Sequence, residues 1–195
     1  MKVAIIKSSS GNVRSVANAV RRLGVDPSLK DDPAELASAD RVIFPGVGEA
    51  SSAMAYLRDR GLDSALRSLT QPVLAICLGM QLLCEYSEEG NTDGLGIFPY
   101  KVRRFKSTEL KVPHMGWNTI ENHRNAGLFR DVPNGERMYF VHSYFVPRVE
   151  ETTAECDYGE RFSAAIVRDN FYGVQFHPEK SGAVGAEILR NFLTI

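Results

Sequence analysis

The chain has 195 residues, 44% of them hydrophobic, and a formal net charge of −1. This length suits one domain over residues 1–195, and the near-neutral charge offers no field that would attract nucleic acid. No apolar run approaches the ~20 residues that span a bilayer, and the four before Lys7 are too few for a secretory signal, so we expect a cytoplasmic protein with no membrane partner.

The three cysteines are Cys77, Cys84 and Cys156. They form no C-x-x-C pair, and no histidine stands at metal-ligand spacing from them. We therefore expect neither a disulfide framework nor a structural metal, and the composition indicates no cofactor.

Short apolar runs alternate with helical patterns in the first half of the chain. Strands are predicted at 2–6, 41–44 and 72–76, and helices at 13–23, around Met54 and Leu57, at 62–69 and at 78–86. Continuously apolar strands that alternate with helices indicate a parallel sheet covered on both faces. Ligand sites of such sheets lie at the carboxyl ends of the strands.

The second half of the chain is richer in strand patterns. They cover 100–105, 137–146, 162–168 and 171–176, and a closing helix is predicted around 185–193. The predicted fold class is therefore single-domain α/β, with a mixed, mostly parallel central sheet flanked by helices and extra antiparallel strands in the second half.

Cys77 interrupts the apolar stretch "PVLAICLGMQLL" (72–83) where the predicted strand meets the predicted helix. Unpaired N–H groups and the helix dipole favour a thiolate at such a junction. The small residues Ala75 and Gly79 also fit the spacing of a nucleophile elbow. The spacing alone leaves open that Cys77 is a small buried hydrophobe, as we expect for Cys84 two turns along the same predicted helix.

A cysteine nucleophile needs a base and a group that orients the base. His177 follows the apolar strand 171–176, and Glu179 comes two residues later across a stiff proline. A solvated strand end is the alternative for His177 taken alone. His142 lies inside a strand pattern and is expected to be a satisfied core or pocket-wall histidine.

Acyl chemistry also needs N–H donors for a developing oxyanion. The Leu78 N–H is one candidate. The segment "PGVG" (45–48) is another, because its two glycines permit unusual peptide orientations. A plain strand-to-helix turn explains this segment equally well.

Five motifs together carry a resemblance that covers nearly the whole chain. They are "PGVG", "AICLGMQLL", "VPHMGWN", "YFVHSYF" and "GVQFHPEKS", in this order. The set resembles class I (triad) glutamine amidotransferases. Within that family, "PHMGWN" and "GNVRS" (11–15) make the chain similar to the glutaminase subunits of imidazole glycerol phosphate synthases, which serve histidine biosynthesis.

The resemblance implies a role for each matching residue. Cys77 would be the nucleophile, His177 the general base and acid, and Glu179 its orienting partner. Oxyanion donors would be Val47 and Leu78, and the residues that hold substrate glutamine would be Gly48, Gln81, Glu89, Ser143 and Tyr144.

The chain departs from the family's pattern in two places. Ala75 stands where the elbow commonly carries glycine, and Ser8, Ser9 and Ser10 replace a D-Y-G loop. One added methyl group should leave the elbow intact, whereas the serines put loop contacts in doubt. The serine stretch lacks the lysine and glycine spacing of a P-loop, so a turn is favoured there.

The resemblance further implies that ammonia from glutamine passes to a partner. That partner would be a (β/α)₈ cyclase subunit, which forms imidazole glycerol phosphate and an aminoimidazole carboxamide ribonucleotide within a heterodimer. We expect the interface to include Pro113, Met115, Trp117 and Lys180, because aromatic anchors concentrate binding energy. Burial of Trp117 in the core is the alternative.

Three other functions remain open at this point. One is an autonomous cysteine hydrolase or peptidase, against which the glutamine-type elbow counts. Another is a glutaminase for pyridoxal phosphate or anthranilate synthesis, against which "PHMGWN" and "PGVG" count. The third is a silent regulatory subunit, although none of the three triad residues has been lost.

Overall fold

The computed structural model describes residues 1–7, 13–46, 48–106, 110–122 and 127–195. In the first half, strands and helices alternate: β1 (Val3–Ile6), α1 (Val13–Arg22), β2 (Ser28–Lys30), α2 (Pro33–Ala37), β3 (Arg41–Gly46), α3 (Ala50–Asp59), α4 (Leu62–Ser68), β4 (Val73–Cys77) and α5 (Leu78–Leu82). The hydrophobic spacing that predicts α1 is the spacing of its buried face, formed by Val13, Val16 and Val20.

Strands dominate the second half. They are β5 (Cys84–Ser87), β6 (Thr92–Asp93), β7 (Phe98–Arg104), β8 (His114–Asn122), β9 (Arg137–His142), β10 (Tyr144–Phe145), β11 (Thr152–Asp157), β12 (Arg161–Arg168) and β13 (Phe171–Val174). Short 3-10 helices cover Glu89–Asn91, Gly127–Phe129 and Pro178–Lys180, and α6 (Gly182–Thr194) closes the chain.

Within the described residues, nine strands form a central sheet in the order β2-β1-β3-β4-β13-β12-β11-β8-β9. The first five run parallel, and each remaining strand joins its neighbour antiparallel. A smaller sheet has the order β10-β7-β5-β6. The predicted α/β class with antiparallel additions is confirmed. The parallel part contains β1 to β4, the first four strands of the chain, together with β13.

Helices cover both faces of the central sheet. On one face, α1 and α6 bury residues such as Val20 and Phe192 against it. On the other face, α2 to α5 contribute Leu36, Met54 and Leu66 to a second apolar cluster. This arrangement leaves the carboxyl ends of β3, β4 and β13 beside one another at one edge of the layered core.

The predicted helix over 78–86 is wrong beyond Leu82. Cys84 begins β5 instead, although it is fully buried, as expected. The helix ends because the following segment takes its carbonyl groups: the N–H groups of Leu95 and Ile97 donate to the carbonyls of Leu82 and Leu83 at 2.8 and 2.9 Å.

None of the helices in the described ranges is both long enough and apolar enough to cross a membrane. The same ranges hold no group of three or more histidine, cysteine or acidic side chains placed to bind a metal ion.

Candidate active site

Cys77 occupies a sharp turn between β4 and α5. Its φ of 55° and ψ of −111° are unusual for a residue with a side chain, and the surrounding structure must hold it there. The residue is only 7% exposed. Ala75 is fully buried in β4 and the turn forms with this residue in place, so the extra methyl group is accommodated.

Two glycines allow the close packing that this turn requires. A Cβ atom on Gly79 would lie 2.2 Å from the carbonyl oxygen of Phe44, and one on Gly46 would lie 2.3 Å from the Gly79 nitrogen. Gly46 is also the β-ladder partner of Cys77. The end of β3 therefore lies directly against the start of α5, and neither glycine has room for a side chain.

His177 reaches the site from the neighbouring strand. Val174 pairs with Ile76, so the chain beyond β13 emerges beside Cys77. The backbone at His177 is held by two hydrogen bonds, one from its own N–H to the Tyr139 carbonyl at 2.9 Å and one from the Ser181 hydroxyl to its carbonyl at 2.6 Å.

Glu179 lies behind His177, away from the thiol. Its Oε1 contacts the His177 Nδ1 at 2.8 Å, and both side chains are almost completely buried. A buried carboxylate at Nδ1 makes this nitrogen the donor and leaves Nε2 for proton exchange. The structure thus brings Cys77, His177 and Glu179 together in the order that a triad requires.

The electrostatic environment of His177 favours its charged form. Burial by itself lowers the pKa of His177, but the negative charge of Cys77, a hydrogen bond to Cys77 and the contact with Glu179 outweigh burial. The pKa is therefore raised above its ordinary value. His177 is therefore placed to carry a positive charge beside the Cys77 sulfur.

A cavity of about 290 Å³ opens over Cys77 and His177. All five residues predicted to hold a substrate line it, namely Gly48, Gln81, Glu89, Ser143 and Tyr144. Other lining residues are Leu78, Pro113, Val141 and His142. Its size suits a small molecule of amino-acid dimensions. The predicted site is therefore one continuous pocket.

The contacts of Gln81 and Glu89 limit what each can offer a ligand. The Gln81 Nε2 donates to the Tyr144 carbonyl at 2.8 Å and to the Gln175 Oε1 at 2.9 Å. These bonds occupy both of its N–H groups, so Gln81 has only its oxygen left for a substrate. Glu89 Oε2 accepts the N–H of Ala50 at 3.0 Å, and burial raises the pKa of this carboxyl.

His142 is the pocket-wall histidine that the sequence predicts. Its Nδ1 lies 2.8 Å from the Tyr144 carbonyl, and its Nε2 lies 3.0 Å from Nδ1 of His114. Burial lowers the pKa of His142 to about 3 and that of His114 to about 4. Both rings are therefore neutral near pH 7, and each has its hydrogen-bond partners within the protein.

The family of the chain follows from comparison with known proteins. Residues 4–195 match the family model described as glutamine amidotransferase class-I. The chain belongs to this family. The predicted family and enzyme class are confirmed.

Relatives of this class-I glutamine amidotransferase match it over their full length. Imidazole glycerol phosphate synthase subunit HisH of Bacteroides fragilis (strain YCH46) is 55% identical over 197 residues, which cover 100% of both chains. The protein of the same name from Escherichia coli (strain K12) is 47% identical over 194 residues, or 99% of each chain.

Solved structures support the fold. A crystal structure of a glutamine amidotransferase superposes with a TM-score of 0.77 at 18% identity, covering 100% of this chain and 98% of the other. The structure of PurLQS from Thermotoga maritima gives a TM-score of 0.72 at 16% identity, covering 99% and 97%. At this level of identity the likeness concerns the fold alone.

Of the residues predicted at a partner interface of this amidotransferase, Pro113 lines the cavity. Met115 is 63% exposed and Trp117 is 47% exposed, so the alternative that Trp117 belongs to the core is wrong. The Lys180 Nζ lies 5.7 Å from the ring centre of Tyr139, which also contacts the Trp117 ring at 6.2 Å. We call Pro113, Met115, Trp117 and Lys180 the rim patch.

Two predicted positions fall outside the described residues. One is Val47, the second oxyanion donor, and the other is the serine stretch 8–10. Sequence reasoning in turn missed Gln175, which is fully buried and whose Nε2 lies 3.5 Å from the Cys77 Sγ. The sequence feature that could have indicated Gln175 is a polar residue within the apolar run "YGVQF", two positions before His177.

Proposed function

We propose that this chain is the glutaminase subunit of an imidazole glycerol phosphate synthase. In this role it hydrolyses glutamine and delivers the ammonia to a cyclase subunit. The observation that carries the chemistry is the alignment of Cys77, His177 and the buried Glu179 at a cavity of suitable size. The full-length similarity to proteins named HisH supports histidine biosynthesis over the pyridoxal phosphate and anthranilate branches.

The first half of the reaction forms a thioester. The Cys77 thiolate attacks the carboxamide carbon of glutamine, and the negative charge that develops on the oxygen is stabilised by N–H donors, for which Leu78 and Val47 are the candidates. The C–N bond then breaks, and the His177 imidazolium gives its proton to the leaving nitrogen. Ammonia and a γ-glutamyl thioester result.

The second half restores the enzyme. Neutral His177 accepts a proton from water, which attacks the thioester carbon and releases glutamate and the Cys77 thiolate. Glu179 keeps the imidazole in one tautomer and stabilises its charged form throughout. No cofactor or metal ion takes part in this scheme.

The substrate contacts follow from the donors and acceptors that line the cavity. Gln81 presents an acceptor, since its N–H groups are engaged elsewhere, and Glu89 presents a second acceptor at the start of α3. These two groups suit the α-ammonium group of glutamine. Ser143, Tyr144 and Gly48 enclose the remainder of the substrate.

The partner in this proposal is a (β/α)₈ cyclase subunit in a cytoplasmic heterodimer. Ammonia released into neutral water becomes protonated and loses its nucleophilicity, so a glutaminase of this kind needs a consumer docked over its cavity. The rim patch suits this need, because Pro113 lines the cavity and the exposed Met115 and Trp117 follow it on one face of β8.

Glutamate release tests the proposal directly. We expect low activity for the chain alone, strong stimulation by the cyclase subunit with its ribonucleotide ligand, and no activity for Cys77→Ala. Cys156→Ala is the matched control, because Cys156 is buried and its thiol has a pKa raised to about 12. A Cys77→Ala variant that still hydrolyses glutamine would rule out the assigned nucleophile.

A further inference from the structure

A line of buried amide groups connects a backbone carbonyl to the sulfur of Cys77. It begins at the Tyr144 carbonyl oxygen, which accepts from the Gln81 Nε2 at 2.8 Å. The same Nε2 donates to the Gln175 Oε1 at 2.9 Å, and the Gln175 Nε2 lies 3.5 Å from the Cys77 Sγ. Gln81 is 4% exposed and Gln175 is completely buried.

The carbonyl at the start of this line sets the direction of every hydrogen bond in it. A carbonyl oxygen only accepts, so the group that Gln81 turns toward Tyr144 must be its NH₂. The other hydrogen of this NH₂ then points to Gln175, which must answer with its oxygen. The amide of Gln175 is therefore oriented with its NH₂ toward the sulfur. If this amide were flipped, its NH₂ would face the NH₂ of Gln81, and two donors would meet without an acceptor.

We propose that Gln175 is a positioning residue for the reaction, which donates an N–H to the Cys77 sulfur and favours its thiolate. Gln81 and the Tyr144 carbonyl act through Gln175 by keeping its donor turned toward the sulfur.

This hydrogen bond stabilises the thiolate form of Cys77 more than the thiol form. In the resting thiol, Cys77 has the Val141 carbonyl at 3.8 Å as an acceptor for its S–H group. Once the proton has left, this carbonyl offers the sulfur no stabilisation, whereas an N–H donor does. Gln175 thus shifts the balance toward the nucleophilic form and restrains the sulfur from a completely buried position.

Other titratable groups near the sulfur must be separated from this effect. His177, which follows β13, contacts the sulfur. Glu89, Tyr144 and His142 of β9 line the cavity over it. Gln175 carries no charge, so its replacement by an apolar residue removes an N–H donor without altering the net charge of the site.

The experiment measures alkylation of Cys77 by iodoacetamide as a function of pH, with the modified residue identified by peptide mass spectrometry. Gln175→Met keeps the approximate side-chain length and removes the donor. Gln175→Glu keeps an acceptor for Gln81 and turns a second oxygen toward the sulfur. Gln71→Met is the matched control, because the Gln71 Nε2 donates to a backbone carbonyl, that of Leu36, at 2.9 Å and lies at the far end of β4.

We expect Gln175→Met to raise the midpoint of the alkylation profile by about one pH unit and to slow alkylation near pH 7 about ten-fold, as the loss of a hydrogen bond to a charged group predicts. The shift for Gln175→Glu should be larger, because a carboxylate repels the thiolate. Gln71→Met should match the wild type. A purely structural role would lower thermal stability and leave the midpoint unchanged.

A wild-type midpoint in Gln175→Met would overturn the inference, whatever the charged Gln175→Glu variant does. If Gln175→Met fails to fold, Gln175→Leu, which also removes the donor without adding a charge, decides the question. The inference rests on the proposed function, in which Cys77 is the nucleophile, but alkylation requires neither glutamine nor a partner. Failure of the proposed function would be seen in the Cys77→Ala assay, and failure of the inference in the alkylation profile.

Discussion

At the scale of single residues, the turn at Cys77 depends on two neighbouring residues that have no side chain. Cys77 adopts a positive φ, which places its side chain at the cavity, and the turn is possible because Gly46 and Gly79 have no Cβ atoms. Ala75 faces no such restriction, since it is a fully buried strand residue whose methyl group packs in the core. The departure of Ala75 from the family's glycine therefore concerns packing rather than the shape of the turn.

Ala75→Gly tests this interpretation. We expect glutaminase activity within about two-fold of the wild type and a loss of about 1 kcal/mol in the free energy of unfolding, because a buried methyl group is removed and glycine is costly in a strand. Urea unfolding and glutamate release measure the two effects. Gly79→Ala is the contrasting variant, and an activity gain or loss of more than ten-fold in Ala75→Gly would contradict this view.

At the scale of secondary-structure elements, the pair β8 and β9 links the outer surface to the cavity. His114 of β8 is the ladder partner of His142 of β9, and the two rings are also hydrogen-bonded. Because the Tyr144 carbonyl accepts from His142 Nδ1, the His142 Nε2 must accept from His114. The Asn118 amide, 3.3 Å from the His114 Nε2, completes a neutral set in which every nitrogen has a partner.

This pair should make the protein sensitive to acid. The folded-state pKa values of His114 and His142 are lowered to about 4 and 3, below the ~6.5 of an unfolded histidine. The stability they contribute is complete above about pH 6.5 and is lost as the pH falls from there toward the folded values, because only the unfolded chain binds the protons.

For His142, which is almost completely buried, we expect a loss of about 2 kcal/mol in the free energy of unfolding between pH 7 and pH 5. Urea unfolding at both pH values measures the loss of stability that His114 and His142 cause together. His114→Phe preserves the ring that stacks on Tyr158 at 4.0 Å and should reduce the pH dependence. An unchanged dependence in this variant would show that another group titrates.

At the scale of the whole molecule, two exposed large apolar side chains, Met115 and Trp117, follow a cavity-lining residue along the chain. Met115 and Trp117 alternate along β8 and therefore project from the same face of this strand, and Pro113, which directly precedes the strand, lines the cavity. Exposed large apolar residues of this kind are typical of a surface that a protein partner covers. Leu29, another exposed apolar residue, lies on β2 at the opposite edge of the central sheet.

Trp117→Ala should weaken binding of the cyclase subunit by about 2 kcal/mol, or roughly thirty-fold in Kd, as expected for a central aromatic anchor. Leu29→Ala should leave the affinity unchanged. Titration calorimetry with the purified cyclase subunit measures both values. Equal affinities for the two variants would place the interface elsewhere, while basal glutaminase activity should be the same in each.

The sequence by itself determined the alternation of strands and helices, the fold class and the candidate triad that we propose. These features depend on local patterns: apolar runs and helical spacing for the core, and small residues around Cys77 for its turn. Short motifs such as H-P-E carry enough chemistry to be interpreted without coordinates. They also led to the family, which the full-length similarity confirms.

Only the tertiary structure decided where α5 ends and how Gln175 is oriented. The helix stops at Leu82 because N–H groups from residues 95–97 take its last carbonyls, and such long-range competition leaves no local pattern. The amide of Gln175 is oriented by the carbonyl of Tyr144, which is 31 positions away in the chain and is linked to it through Gln81. Hydrogen-bond direction in a buried network is set by which groups meet in space, and that meeting is a property of the fold.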